Sequence, residues 1–300
     1  MGLFDFTKNP IKGYNYDTCA ETEGKRLRTQ AAMMHNMDLP IFQKILRERP
    51  GATILDIGCN EGDSAMNRIH GSGASMYIGL DISAKAIEAA RKKYEDDVTH
   101  FVQYDVSSKA LPVELYSILK QYGIEQVDVI IISLVLLHLE DPEDLVNALF
   151  PFLKRGGAIY IKDIDDRDNK AVPDPEKMFE RSTQIADHNR ESGNRNVGRN
   201  VPTWLKRFGY KDITCHMKGL TSRGMTQEQR QALWDTYYGF FMDDTKAECK
   251  HTNCSKQALY DLGWCTYYLP QMYELFMNPS FEYTLGFCVY TATKAVTGNG

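Results

Sequence analysis

ILDIGCNEGD, residues 54–63, decides how the rest of the chain is read. A short apolar run fit for a strand meets two glycines, then an acidic residue fit for the start of a helix. Gly58 and Gly62 let the backbone bend sharply and let a ligand approach the peptide groups. One such turn is a weak signal by itself.

Working outward, the next strands strengthen it. Asp81 ends the strand pattern in YIGLDIS, residues 77–83. An acid about twenty residues past a glycine turn can accept bonds from both ribose hydroxyls. Asp105 ends the strand pattern in FVQYDVS, residues 101–107, where a carboxylate can accept from an adenine amino group. Each acid alone would serve as a helix cap or turn former. Together Asp56, Asp81 and Asp105 mark successive strands of one sheet, at an edge where ligands bind in open α/β folds.

Strand and helix patterns alternate from Thr53 to Lys162, which demands a parallel sheet with right-handed crossovers. Ser83 fits the N-cap of the helix over residues 84–94. Val127–Ser133 is apolar on both faces, as a central parallel strand must be. The polar stretch 163–175 reads as a loop, and 176–191 and 203–208 as helices. Residues 227–277 read as mostly helical and 283–293 as one last strand. The expected fold is α/β: a Rossmann-like, doubly wound, mostly parallel seven-stranded sheet, with an N-terminal helical segment and a helical insertion before the last strand. The segments divide as 1–50, helical and broken at Asp38-Leu39-Pro40; 51–219, the nucleotide-binding sheet; 220–282, a helical cap; and 283–300, the last strand and a disordered tail.

These residues resemble the class I S-adenosylmethionine-dependent methyltransferases, small-molecule branch. Asp56-x-Gly58-x-Asn60-x-Gly62 is similar to the first motif, Asp81 to the second and Asp105 to the third. IISLVLLHLED, residues 131–141, and LKRGGAIYIKD, residues 153–163, resemble the fourth and fifth strand motifs. The resemblance covers residues 40–217. Asn60 stands where the family usually has glycine; asparagine tolerates the left-handed backbone better than most residues. The turn also lacks the G-x-G-x-x-G spacing of a nicotinamide enzyme.

The resemblance implies S-adenosyl-L-methionine as cofactor and in-line methyl transfer to oxygen, nitrogen or carbon. It implies that Asp81 and Ile82 hold the ribose, Asp105 and Val106 the adenine, and the Gly58–Gly62 backbone the methionine part. Ser133 and Leu134 would lie beneath the transferred methyl, and Arg28 would fix the methionine carboxylate. His138 is a candidate base or a packing residue. Asp163 is a candidate substrate ligand or a loop cap.

For the acceptor, Arg195 and Arg199 fall with Arg190 in the polar loop 188–200, which could clamp a carboxylate or phosphate. Tyr237 and Tyr238 lead an aromatic-rich run through the insertion, where tyrosine offers apolar area with a polar handle. The same aromatics would equally form a helical core or the face of a homodimer.

Composition limits the choice further. A net charge of −5 and 43% hydrophobic residues describe an ordinary globular protein and argue against a nucleic-acid partner. An Asn-Pro-Pro-Tyr or Asp-Pro-Pro-Tyr motif of base amino-methylases is absent after the fourth strand. Seven scattered cysteines fit a reducing cytoplasm, and the spacing Cys249, His251, Cys254, Cys265 is not a standard zinc pattern, so no metal is expected. The start lacks a signal-peptide run, and no apolar stretch is long enough to span a bilayer. The leading expectation is a small-molecule methyltransferase. RNA or protein methylation and a catalytically inactive cofactor-binding regulator are the alternatives.

Overall fold

A computed structural model describes residues 20–69, 71–189, 192–217 and 219–296. The turn-rich start, Arg190 and the tail residues 297–300 lie outside the described residues.

The chain opens with α1 (Ala20–Arg47), then alternates β1 (Thr53–Ile57), α2 (Asp63–Ile69), β2 (Met76–Asp81), α3 (Ala84–Tyr94), β3 (Thr99–Gln103), α4 (Leu111–Gln121), β4 (Val127–Ser133), α5 (Pro142–Leu149) and β5 (Leu153–Ile164). Next come β6 (Lys170–Val172), α6 (Met178–His188), α7 (Val201–Arg207), β7 (Lys211–Met217) and β8 (Leu220–Thr221). The cap helices α8 (Gln227–Tyr237), α9 (Phe241–His251) and α10 (Lys256–Met277) follow, then β9 (Glu282–Leu285) and β10 (Phe287–Thr293).

The main sheet runs β3-β2-β1-β4-β5-β10-β7. Strands β1 to β5 pair parallel, and β10 is antiparallel to both neighbours. Order reverses beside β1, between β2 on one side and β4 on the other, and ligands bind at such a switch point. Ile54, Leu55, Ile57, Ile130, Ile131 and Ile132 are all buried, because helices cover both faces of the sheet. Ser83 caps α3 as expected, its side chain accepting from Ala86 N–H at 3.2 Å.

Three local expectations are corrected. α1 runs unbroken through Pro40. Pro40 is exposed, while Met34, Phe42, Ile45 and Leu46 bury the opposite stripe, and this packing holds the helix together across the proline. The stretch after Asp163 is not all loop. β5 extends to Ile164, and β6 joins β9 and β8 in a second, three-stranded antiparallel sheet. The last strand is two strands divided at Gly286. A Cβ there would lie 2.0 Å from the Asp165 carbonyl oxygen, so only glycine lets the chain pass this backbone and cross between sheets.

The cap helices and α6 share an aromatic part of the one buried core. Tyr238 stacks on Trp234 at 4.8 Å, and Phe179 meets Phe281 at 4.8 Å. Arg230 is buried among them and donates to the carbonyls of Phe276 at 2.8 Å and Phe281 at 2.9 Å. The guanidinium thereby satisfies a carbonyl that the end of α10 leaves open.

Candidate functional site

β1 ends in a turn whose Gly58, Asn60 and Gly62 have φ of 73°, 50° and 79°. The left-handed values explain both glycines, and asparagine fills the middle place at small cost. Gly58 and Cys59 N–H donate to the Leu80 carbonyl at 2.8 and 3.0 Å, tying this turn to the tip of β2. A Cβ at Gly58 would sit 2.3 Å from Val135 Cγ2, so the turn lies directly against the exit of β4.

Asp81 joins the turn from the next strand. Its carboxylate accepts from Asn60 N–H at 2.8 Å and Ser83 N–H at 2.9 Å. One strand further, Asp105 accepts from Ser107 N–H at 2.9 Å and Ser107 Oγ at 2.7 Å. Tyr104 N–H donates to the Asp81 carbonyl at 2.9 Å, and Gln103 Nε2 to the Ile82 carbonyl at 3.2 Å. Asp81, Ile82, Asp105 and Val106 therefore gather at one edge, beside the bent turn.

Asp56 lies beneath the turn, away from its mouth. It is 5% exposed and accepts from the Tyr77 hydroxyl at 2.7 Å. Burial pushes its carboxyl up to about 7; the Tyr77 bond and the charges of Arg68 and Lys162 offset part of that rise. The folded state thus holds a proton between pH 4 and 7 that the unfolded state releases, so this group costs stability as pH rises through that window. Asp56→Asn retains an acceptor for Tyr77. Urea unfolding is expected to find the variant more stable than the native chain at pH 8, with the difference gone by pH 5. Equal stabilities at pH 8 would contradict this.

Arg28, from α1, pairs with Glu61 of the turn at 3.1 Å. Lys93 of α3 pairs with the same carboxylate at 2.7 Å. Neither Glu61 nor Lys93 stood out in the sequence, because their roles depend on α1 and α3 converging.

Leu134, leaving β4, has φ of 59°, and its N–H donates to the Lys162 carbonyl at 2.8 Å. Ser133 and Leu134 are half-buried at this exit, followed by a 3₁₀ turn, Leu136–His138. Asp163 is 1% exposed and accepts from Leu136 N–H at 2.8 Å and Ile164 N–H at 2.9 Å. It caps that turn. Burial raises its carboxyl to about 7, against the pull of those amides.

A cavity opens between α6, α8 and the small sheet, with about 350 Å³ of space including its mouth. Arg195, Tyr237, Tyr238, Phe240 and Tyr283 line it, so three residues singled out in the sequence meet in one wall. Arg195 grips Asp166 with two bonds, 2.6 and 3.0 Å, and the two side chains are 11% and 3% exposed. Tyr238 hydroxyl donates to Tyr283 hydroxyl at 2.9 Å, and Gln30 Nε2 of α1 donates to Tyr237 hydroxyl at 3.1 Å. Burial pushes both phenols, Tyr237 and Tyr238, up to about 12. They are neutral near pH 7 and can give or take hydrogen bonds without acting as anions.

Other expected residues go elsewhere. Arg199 pairs with Asp165 instead of facing this cavity. His138 and Asp163 do not line it either. The 3₁₀ turn carrying His138 lies against the loop that supplies Arg195: Asn194 N–H donates to the Leu137 carbonyl at 2.7 Å. Among the described residues, Cys249, His251, Cys254 and Cys265 form no metal-ligand group; Asp165, Asp168 and Cys288 do approach one another, with Arg199 on Asp165.

A family model described as a methyltransferase domain matches residues 48–230 of the chain. The chain belongs to the methyltransferase family. Its fold is that of the class I S-adenosylmethionine-dependent enzymes. It is 26% identical over 189 residues to a tRNA U34 carboxymethyltransferase of Hydrogenovibrio crunogenus, covering 61% of this chain and 51% of that protein. It is 27% identical to a trans-aconitate 2-methyltransferase of Rhizobium leguminosarum, covering 64% of each. The chain thus spans about half the length of the tRNA-modifying relatives it matches. In fold it resembles phosphoethanolamine N-methyltransferase 2 of Haemonchus contortus, solved with S-adenosyl-L-methionine: TM-score 0.54, 16% identity, covering 96% of this chain and 60% of that one. In this methyltransferase the donor set at the strand tips suits that cofactor. Two carboxylates can meet a ribose and an adenine, and Gly58 and Gly62, which lack side chains, leave room at the turn for the amino-acid part. Among the described residues no helix is long and apolar enough to cross a membrane.

Proposed function

We propose that this chain transfers the methyl group of S-adenosylmethionine to a small molecule held in the cavity lined by Arg195, Tyr237 and Tyr238. The observation that carries this reading is the course of α1. Arg28 reaches the glycine turn and, two residues on, Gln30 reaches Tyr237 of the cavity. One helix thereby spans cofactor turn and acceptor cavity.

The sulfonium supplies an already activated methyl group, so the chain must align a nucleophile and exclude water. Asp81 and Ile82 hold the ribose, Asp105 and Val106 the adenine edge. Arg28, through Glu61, fixes the turn that receives the methionine part. Ser133 and Leu134 form the floor beneath the methyl, and Asp163 sets that floor by capping the turn after it. His138 packs between this turn and the Arg195 loop. The aromatic walls exclude water, while the phenols and Arg195 orient a polar acceptor. Tyr238→Phe removes the hydroxyl that would meet the acceptor and is expected to raise KM for the acceptor about tenfold, one lost bond to a buried group being worth about 1–1.5 kcal/mol. Affinity for the demethylated cofactor should stay unchanged. A variant with native KM would remove Tyr238 from the site.

The acidic net charge and the small size of the cavity favour a small acceptor over a tRNA, although several matched relatives modify tRNA. Methyl-labelled cofactor incubated with the full chain and a cell extract, then separated into small-molecule, protein and RNA fractions, tests the assignment. Label is expected in the small-molecule fraction. Label confined to RNA or protein overturns it.

A further inference from the structure

We infer that Cys249 and Cys254 form a redox site, a dithiol that a low-molecular-weight disulfide converts reversibly into an intrachain bridge. Cys249 is buried in the last turn of α9, and Cys254 is exposed just beyond it. Cys249 Sγ donates to Cys254 Sγ at 3.1 Å. The backbone brings them together: Cys254 N–H donates to the Cys249 carbonyl at 2.6 Å, across a turn in which Asn253 and Cys254 have φ of 50° and 53°. Asparagine accepts this conformation readily and cysteine does not, so the backbone is strained where the thiols meet.

The surroundings favour Cys254 as the attacking sulfur. α10 begins directly after it, with Ser255 as the N-cap accepting from Ala258 N–H at 3.2 Å. Cys254 is the exposed sulfur of the pair, so a dissolved disulfide reaches it first, and the Cys249 S–H donates to it. That bond, with burial, holds the Cys249 thiol above its ordinary value. Burial pushes Cys265 and Cys288 up to about 11, which keeps both as thiols.

In the first step Cys254 Sγ, its proton lost to solvent, attacks one sulfur of the small disulfide. That sulfur–sulfur bond breaks, and the departing thiolate takes up a proton. Cys249 then gives up its proton and attacks Cys254 Sγ, expelling the second small thiol. Two protein thiols are oxidised to one disulfide while one small disulfide is reduced to two thiols.

Trypsin makes the test direct. It cuts after Lys246, Lys250 and Lys256, so Cys249 and Cys254 fall in separate peptides, 247–250 and 251–256. The full chain is treated with oxidised glutathione, the remaining thiols are alkylated, and the digest is weighed with and without reductant. The linked pair of peptides is expected, lost on reduction and absent from Cys254→Ser. It should form on the order of ten times faster in the native chain than in the same chain in urea, because the fold pre-positions the sulfurs. A stable glutathione adduct on Cys254 with Cys249 still alkylated, linkage only between two chains, or equal rates in buffer and urea would each overturn the site.

Discussion

Asp81→Ala is expected to weaken binding of S-adenosylmethionine and its demethylated product by about 100-fold or more. Bonds to a charged acceptor are worth about 1.5–3 kcal/mol each, and each 1.4 kcal/mol is tenfold in affinity. The carboxylate can meet two ribose hydroxyls, so two such bonds are lost. It also accepts from Asn60 and Ser83 amides, so its removal loosens the glycine turn as well. Titration calorimetry with the demethylated product reads the loss directly, and thermal unfolding without ligand tells a loosened turn from a collapsed fold. Asp81→Asn keeps one acceptor oxygen and should fall between the two. Unchanged heat for the alanine variant would remove Asp81, and with it the strand-tip reading, from the cofactor site.

Arg195→Met is expected to cost about 3–5 kcal/mol of folding stability, because it leaves the Asp166 carboxylate buried without its cation. Both partners are nearly inaccessible and joined by two bonds, unlike a surface pair worth a fraction of that. Urea unfolding at pH 8 measures the loss. The double variant Arg195→Met with Asp166→Leu removes both charges and should recover most of the stability while leaving acceptor turnover impaired. A double variant no more stable than the single one would mean that Arg195 acts through its packing and not its charge.

These two residues divide along the line between what was legible in the chain and what was not. The site of Asp81 is written within thirty residues, by a strand, a glycine turn and a second strand. Arg195 was visible only as a basic residue in a polar loop. Its partner lies 29 positions away, and the neighbouring Asp165 takes Arg199 instead. Nothing in the spacing tells which arginine meets which acid, because adjacent carboxylates on an irregular segment project differently. Asp163 was readable as an acid at a strand end, but whether its oxygens faced a ligand or amides depended on how the chain turned after β4.

The sequence by itself determined the alternation of the first five strands with helices and so their parallel direction, the left-handed turn at Gly58 and Gly62, and the acids at their tips, because strand periodicity and glycine conformation are local properties. Tertiary structure decided the rest: that α1 crosses Pro40 unbroken, that Gly286 lets the chain change sheets, and that Gln30 and Tyr237 meet across 207 positions. Those outcomes depend on which buried surfaces fit together, and packing between distant segments leaves no periodic trace in the order of residues.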